Sequence, residues 1–311
     1  MEIGLRGSTA PEIHISMQSH LLRRFATGAL VVVAAVTGFP GAASAARVAV
    51  LSNFYQNETA AAFASKIGGH TFTPIDVSVS VPTLAELTAR YDVLLLFEDS
   101  TFGNAPAVGN VVAAYANTGR AVVLGTFYDQ DRSDGPVAVT PHGWGALETI
   151  DPNTTDGTGT AYSPRSLDTA GVTAHPLTAG VTALFGNRFV GGNQPKAGTR
   201  VVANWAQKNA RGGADPAIAY RFSDGACVIH IAIAPQYPVI DTTNTEFGGD
   251  FYRVWANAFD FGASNCASGI TDVSAVKQPT AIPTLSAAGL ALMALLLAAL
   301  AALPRVRARR R

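Results

Sequence analysis

The chain has little charge, and the charge it has is balanced. Only 14% of its residues are Asp, Glu, Lys or Arg, and 22 basic side chains face 22 acidic ones. The only dense basic cluster lies at the extreme C-terminus, so nucleic-acid binding has no electrostatic footprint. Phosphate-cradling motifs are missing. There is no P-loop, and the first apolar run ends Ser52-Asn53-Phe54 rather than in Gly-x-Gly-x-x-Gly. No Gly-x-Ser-x-Gly elbow occurs, which leaves a serine-hydrolase triad without an anchor. His70, His142, His175 and His230 show no metal-ligand spacing. The stretch Asp129 to Gly135 looks like a calcium loop, but the sixth position is Asp134 and the twelfth Thr140, so the EF-hand register fails. No metal and no cofactor is expected.

Cysteine is nearly absent too, at two residues, Cys227 and Cys266. A bridge between them closes a loop of about 39 residues, which the chain-entropy model values at roughly 3–4 kcal/mol. The alternative is a buried free Cys227, flanked by apolar residues.

What the chain has instead is two apolar ends. At the C-terminus, Leu285 to Leu303 carries no charge and is mostly Leu and Ala. As a helix it reaches close to the ~30 Å of a bilayer core. Arg305, Arg307, Arg309, Arg310 and Arg311 follow, a cluster that stays on the cytoplasmic side and leaves everything before the helix outside it. At the N-terminus, Arg23-Arg24, the apolar Ala29 to Val36 and the small-x-small Ala43-Ser44-Ala45 form a secretory leader. Cleavage before Ala46 and a start at Met17 are expected, with Sec export and signal peptidase as partners. The alternative is an N-terminal membrane anchor. The exported compartment is one in which disulfides persist. The chain thus divides into a leader (1–45), an ectodomain (46–267), a linker (268–281) and a tail (282–311).

Within the ectodomain, Arg47–Ser52 reads as a buried strand, and a helix opening near Asn57 is stopped by Gly68-Gly69. Thr71–Val77 is a strand. Thr83 and Glu86 form a capping box. Tyr91–Phe97 is continuously apolar, as a central parallel strand must be. A helix over Pro106–Thr118 and a strand over Ala121–Gly125 complete a β-α-β-α-β-α-β alternation. Tyr128 to Tyr162 loses periodicity and reads as a long loop. His175 to Val181 is turn-rich. Arg200–Trp205, Ala217–Phe222 and Ala226–Ala234 read as strands, the last two joined at Ser223-Asp224-Gly225. Asp250–Phe259 is an amphipathic helix. The fold class expected is a three-layer α/β domain with a parallel sheet and a late antiparallel hairpin, plus one C-terminal transmembrane helix.

Two resemblances follow from these residues. Ile282-Pro283-Thr284-Leu285-Ser286, the apolar segment and the arginine cluster stand in the order of an IPTL-type C-terminal sorting signal, a relative of the PEP-type signals of Gram-negative bacteria. Ala287-Ala288-Gly289 stands where the usual form has an acidic or Trp-containing stretch. The resemblance implies an exosortase-type transpeptidase as partner; the plainer alternative is a membrane anchor. The ectodomain resembles the flavodoxin-like, class I glutamine-amidotransferase-like fold and its ThuA-like branch. The resemblance rests on Val48-Ala49-Val50-Leu51, Tyr91 to Leu96, Gly119 to Leu124, His175 to Val181 and the late hairpin with its closing helix. That family implies a cysteine elbow after the strand ending at Leu124, where this chain reads Gly125-Thr126-Phe127-Tyr128. The nucleophile is missing and amidotransferase activity is not expected.

In doubly wound sheets ligands bind at the carboxyl ends of the strands. Those ends carry Asn53, Tyr55, Tyr128, Asp131 and Gln236 as ligand-binding candidates, and Glu98, Asp99, Asp129 and His142 as candidates for acid–base work. This aromatic and acidic rim suits a carbohydrate, such as an extracellular polysaccharide, or another polar ligand; the alternative is ordinary loop residues in a fold whose ancestral site has decayed. The expectation is a non-catalytic, envelope-displayed domain with a structural or ligand-binding role. The alternative is a surface hydrolase acting on sugars, as a ThuA-like resemblance implies.

Overall fold

The computed structural model describes residues 45–99, 104–126, 143–155, 163–243 and 245–266. The first half alternates as its apolar runs dictate. β1 (Arg47–Ser52), α1 (Gln56–Lys66), β2 (Thr71–Asp76), α2 (Leu84–Arg90), β3 (Val93–Leu96), α3 (Ala105–Ala116) and β4 (Ala121–Gly125) follow one another. A 3-10 turn at Gly145–Thr149 leads to β5 (Asn153–Thr155) and β6 (Arg165–Ser166). Then come β7 (Leu184–Gly186), β8 (Asn193–Pro195), β9 (Arg200–Trp205), β10 (Asp215–Ser223) and β11 (Ala226–Ile231). α4 (Tyr237–Ile240), β12 (Phe247–Gly249) and α5 (Phe251–Phe261) close the order.

The main sheet runs β2-β1-β3-β4-β11-β10-β9. The pairs from β2 to β11 are parallel, while β10 and β9 are added antiparallel. Every residue of β3, β4 and β11 is buried. Both faces are therefore covered, and alternate side chains enter different layers. Val50, Leu95, Val123 and Ile229 meet Phe63 of α1 and Trp255 and Phe259 of α5. Leu51, Leu96, Leu124 and Val228 meet Leu87 of α2 and Val108 and Val112 of α3. α5 presents Phe251, Val254, Trp255, Ala258 and Phe259 to the sheet, the spacing its amphipathic pattern predicts.

Local signals act as expected at several joints. Thr83 N donates to Glu86 Oε2 at 2.8 Å and Glu86 N to Thr83 Oγ1 at 3.2 Å, the reciprocal capping box. Asp224 and Gly225 have φ of 49° and 88°, the type I′ geometry that a two-residue hairpin between β10 and β11 requires. Both ends of the sheet are blunted among the described residues. Edge strand β2 carries Pro74, paired with Val50. The outer side of β9 is engaged by the chain around Leu167: Asp168 N donates to Asn204 O at 2.9 Å and Thr173 N to Val202 O at 2.8 Å.

Other expectations need correction. The long stretch after β4 is not loop throughout. Trp144, Leu147 and Ile150 are buried at a spacing of three, which is the period of a 3-10 turn rather than of an α-helix. Two small antiparallel sheets, β12-β7-β6 and β5-β8, go unannounced because their strands are two or three residues long. The leader and the tail, with Ile282 to Leu285, the apolar segment and the terminal arginines, lie outside the described residues. Among the described residues no helix is long and apolar enough to cross a membrane. No described cysteine is free, and Cys227, buried at the start of β11, is disulfide-bonded. The side chain of Cys266 lies outside the described residues.

The 3-10 turn packs on α3 at a point where only glycine fits. A Cβ on Gly109 would sit 1.7 Å from the Trp144 carbonyl oxygen. Helix propensity alone favours alanine by about 1 kcal/mol. Gly109→Ala is nevertheless expected to destabilise the domain by ~1–3 kcal/mol in urea unfolding, because the backbone contact must open. A stabilised variant would show that the turn does not rest on α3.

Candidate functional site

The strand order puts β2 on one side of β1 and β3 on the other, so the crossovers leaving these strands diverge above β1 and β3. This is the switch point at which doubly wound sheets leave a crevice. The segment Asn53-Phe54-Tyr55 turns here from β1 into α1. Tyr55, the N-cap, has φ 60° and ψ 11°, a left-handed conformation that costs a residue with a Cβ on the order of 1 kcal/mol. The turn leaves Phe54 51% exposed, with its ring edge-on to Tyr55 at 4.4 Å between centroids. Few large apolar side chains on the described surface are as open.

Three of the expected ligand and acid–base residues meet beside this turn. Asp99 N donates to Asn53 Oδ1 at 3.1 Å, joining the end of β3 to the end of β1. Gln236 Nε2 donates to Asp99 Oδ1 at 2.9 Å, reaching past the end of β4 from the start of α4. Gln236 is itself fully buried, and its Oε1 has no hydrogen-bond partner among the described residues. Asn53, Asp99 and Gln236 are thus one unit spanning the sheet's carboxyl edge. Glu98, the residue before Asp99, is buried to 2% exposure. Tyr128, Asp129, Asp131 and His142 lie outside the described residues. Trp144, two residues beyond His142 in the sequence, is core. Tyr237, next to Gln236, is core as well, stacked on Phe247 with its hydroxyl accepting from Arg188 N at 3.1 Å.

Phe54 escaped the sequence reading. Its signal was available, since a large aromatic residue between a strand and a helix opening on polar residues has no core face to join. Gln56 and Thr59 on the first turn of α1 were also missed. Both are buried, and Gln56 Oε1 and Thr59 Oγ1 lack partners among the described residues. Among the described residues no group of His, Cys, Asp and Glu could hold a metal ion.

Two histidines are interior and neutral. His175 accepts from Leu177 N through Nδ1 at 3.1 Å and stacks on Tyr220; burial, helped by the charge of Arg200, lowers its pKa to about 4. His230 is 1% exposed, with Nδ1 at 2.9 Å from Asn153 Nδ2; burial, helped by Lys196, lowers its pKa to about 3. Both pKa values fall below the ordinary histidine value, so the unfolded chain protonates first on acidification. Stability is therefore expected to fall between about pH 6.5 and pH 3. His230→Gln should flatten the slope of unfolding free energy against pH in that window. An unchanged slope would mean that His230 is not buried in its neutral form.

Comparison with known proteins adds the following. No curated protein matches the chain in sequence. A cytoplasmic protein from Salmonella typhimurium LT2 is similar in structure, at 12% identity and TM-score 0.48, covering 70% of this chain and 99% of its own. A second cytoplasmic protein from Salmonella typhimurium is similar at 12% identity and TM-score 0.48, covering 69% and 98%. A ThuA-like protein from Bacteroides uniformis is similar at 13% identity and TM-score 0.43, covering 71% and 94%. The tail gives the sharper result: residues 280–311 carry the IPTL-CTERM motif, as Ile282-Pro283-Thr284-Leu285 led us to expect.

Proposed function

We propose that this chain is an exported envelope protein whose α/β domain binds a neutral, hydroxyl-rich ligand, an extracellular polysaccharide, at the carboxyl edge of its parallel sheet. The sorting motif supports export and association with the envelope. The observation that carries the binding reading is the exposed ring of Phe54 beside the Asn53–Asp99–Gln236 unit. An aromatic face stacks on the apolar face of a sugar, and a carboxylate and amides take its hydroxyls. None of Asn53, Phe54, Tyr55, Asp99 and Gln236 is basic, which favours a neutral glycan over a phosphorylated or uronate one. Among the described residues nothing favours the hydrolase alternative. Glu98 and Asp99 are consecutive, one buried and the other engaged by Gln236.

The tail reading is that Leu285 to Leu303 holds the chain in the membrane, with Arg305, Arg307 and Arg309 to Arg311 on the cytoplasmic side, until an exosortase-type transpeptidase acts on it. Within the domain, Cys227 pairs with Cys266 and ties β11 to the end of α5.

Two measurements test these readings. Neutral glycans on an array are expected to bind the domain, and Phe54→Ala to weaken binding at least about tenfold, the loss of one stacked ring. Equal binding by wild type and variant would remove the rim from consideration. Intact mass should show a start at Ala46 and a C-terminus that changes with the transpeptidase, with Cys227 and Cys266 blocked to alkylation until reduction. An identical mass with and without that enzyme would reduce the tail to an anchor.

A further inference from the structure

A second polar region lies inside the domain. Asn153, Asn193 and Thr126 are 2%, 0% and 0% exposed. Among the described residues Asn153 Oδ1, Thr126 Oγ1 and both amide atoms of Asn193 have no hydrogen-bond partner. Asn193 is nonetheless firmly held. Its N–H donates to Asp215 Oδ1 at 3.1 Å, and its carbonyl accepts from Asn209 Nδ2 at 2.9 Å. Asp215 Oδ2 in turn accepts from Gly192 N at 2.9 Å and Arg165 Nε at 3.3 Å. The backbone of Asn193 is fully engaged while its side chain is not, the reverse of what an asparagine kept for structure shows.

These groups share one side of the sheet. The β5–β8 register pairs Asn153 with Pro195 and Thr155 with Asn193, so both asparagines project from the same face of that ribbon. Asn153 and Asn193 are buried and Thr154 is exposed, so this face is turned inward at the two asparagines. Asn153 meets His230 of β11, and His230 is in register with Leu124 of β4. Thr126 lies two residues beyond Leu124 on the same face, toward the carboxyl edge. The polar groups therefore form a track from the end of β4 inward past His230 to the two amides.

We propose that this track binds small neutral hydroxyl-type guests, either water or a hydroxyl of a small polyol, held between the amides of Asn153 and Asn193. The nearby charges are already matched, Asp215 by Arg165 and Asp151 by Lys196, so an ion would find no free counter-charge. Asn193 offers a donor and an acceptor together, and a hydroxyl satisfies both. Enclosure this complete admits only a guest the size of water or slightly larger. The test of this site does not depend on what the rim binds.

The test is solution NMR on the mature protein with labelled asparagine, with glycerol as the polyol probe. Cross-peaks from the Asn193 side-chain amide to a long-lived water or to glycerol are expected, and which of the two appears identifies the guest. Asn193→Leu, close to isosteric, should remove them and lower the melting temperature by roughly 2–4 °C. An amide with no guest predicts the opposite sign, because leucine then relieves an unpaired polar group. Absence of any cross-peak to water or glycerol in the wild-type protein would overturn the proposal whether or not the variant folds.

Discussion

The constraint on which the structure depends is that its central strands are buried along their whole length. β3, β4 and β11 expose no residue, so each layer must be sealed on both sides. α1 and α5 seal one side; α2, α3 and the Trp144 turn seal the other. Polar chemistry is thereby driven to the strand ends. His230 is the exception, a polar residue within a run of apolar neighbours, and the ribbon bearing Asn153 is what makes its burial tolerable.

The same constraint explains what the sequence made legible. Continuous apolar runs announce buried parallel strands, and the β-α alternation, the Thr83 capping box and the Asp224-Gly225 turn are local codes readable without the fold. The sorting motif of the tail was legible as well, because Ile282-Pro283-Thr284-Leu285 is a contiguous local code. The small sheets were not legible. Two- and three-residue strands have no periodicity, and they exist only because distant segments meet. The Trp144 turn was hidden by its period of three. At the edge, sequence could place Asn53, Asp99 and Gln236 at strand ends, but the bonds that join them span residues 53 to 236.

Asp215 shows how such a domain supports precision away from its sheet centre. It is fully buried, and its carboxylate organises the turn that carries Asn193 and anchors Arg165 on β6. Burial raises its pKa while the two backbone donors and Arg165 oppose that rise. A charge kept inside at this cost fixes geometry more than it adds stability. One of the residues it fixes is Asn193, whose side-chain amide has no partner among the described residues.

The blunted sheet borders have a consequence for life in a crowd. Proteins held side by side at high density meet edge to edge, and an unpaired strand then acts as a template for its neighbour. Here the proline in β2 interrupts one border, and the Leu167 segment occupies the other. Both devices oppose the fusion of neighbouring copies into a continuous sheet. Contacts between copies across these two borders are thereby left more to side chains, which can dissociate, than to shared backbone ladders.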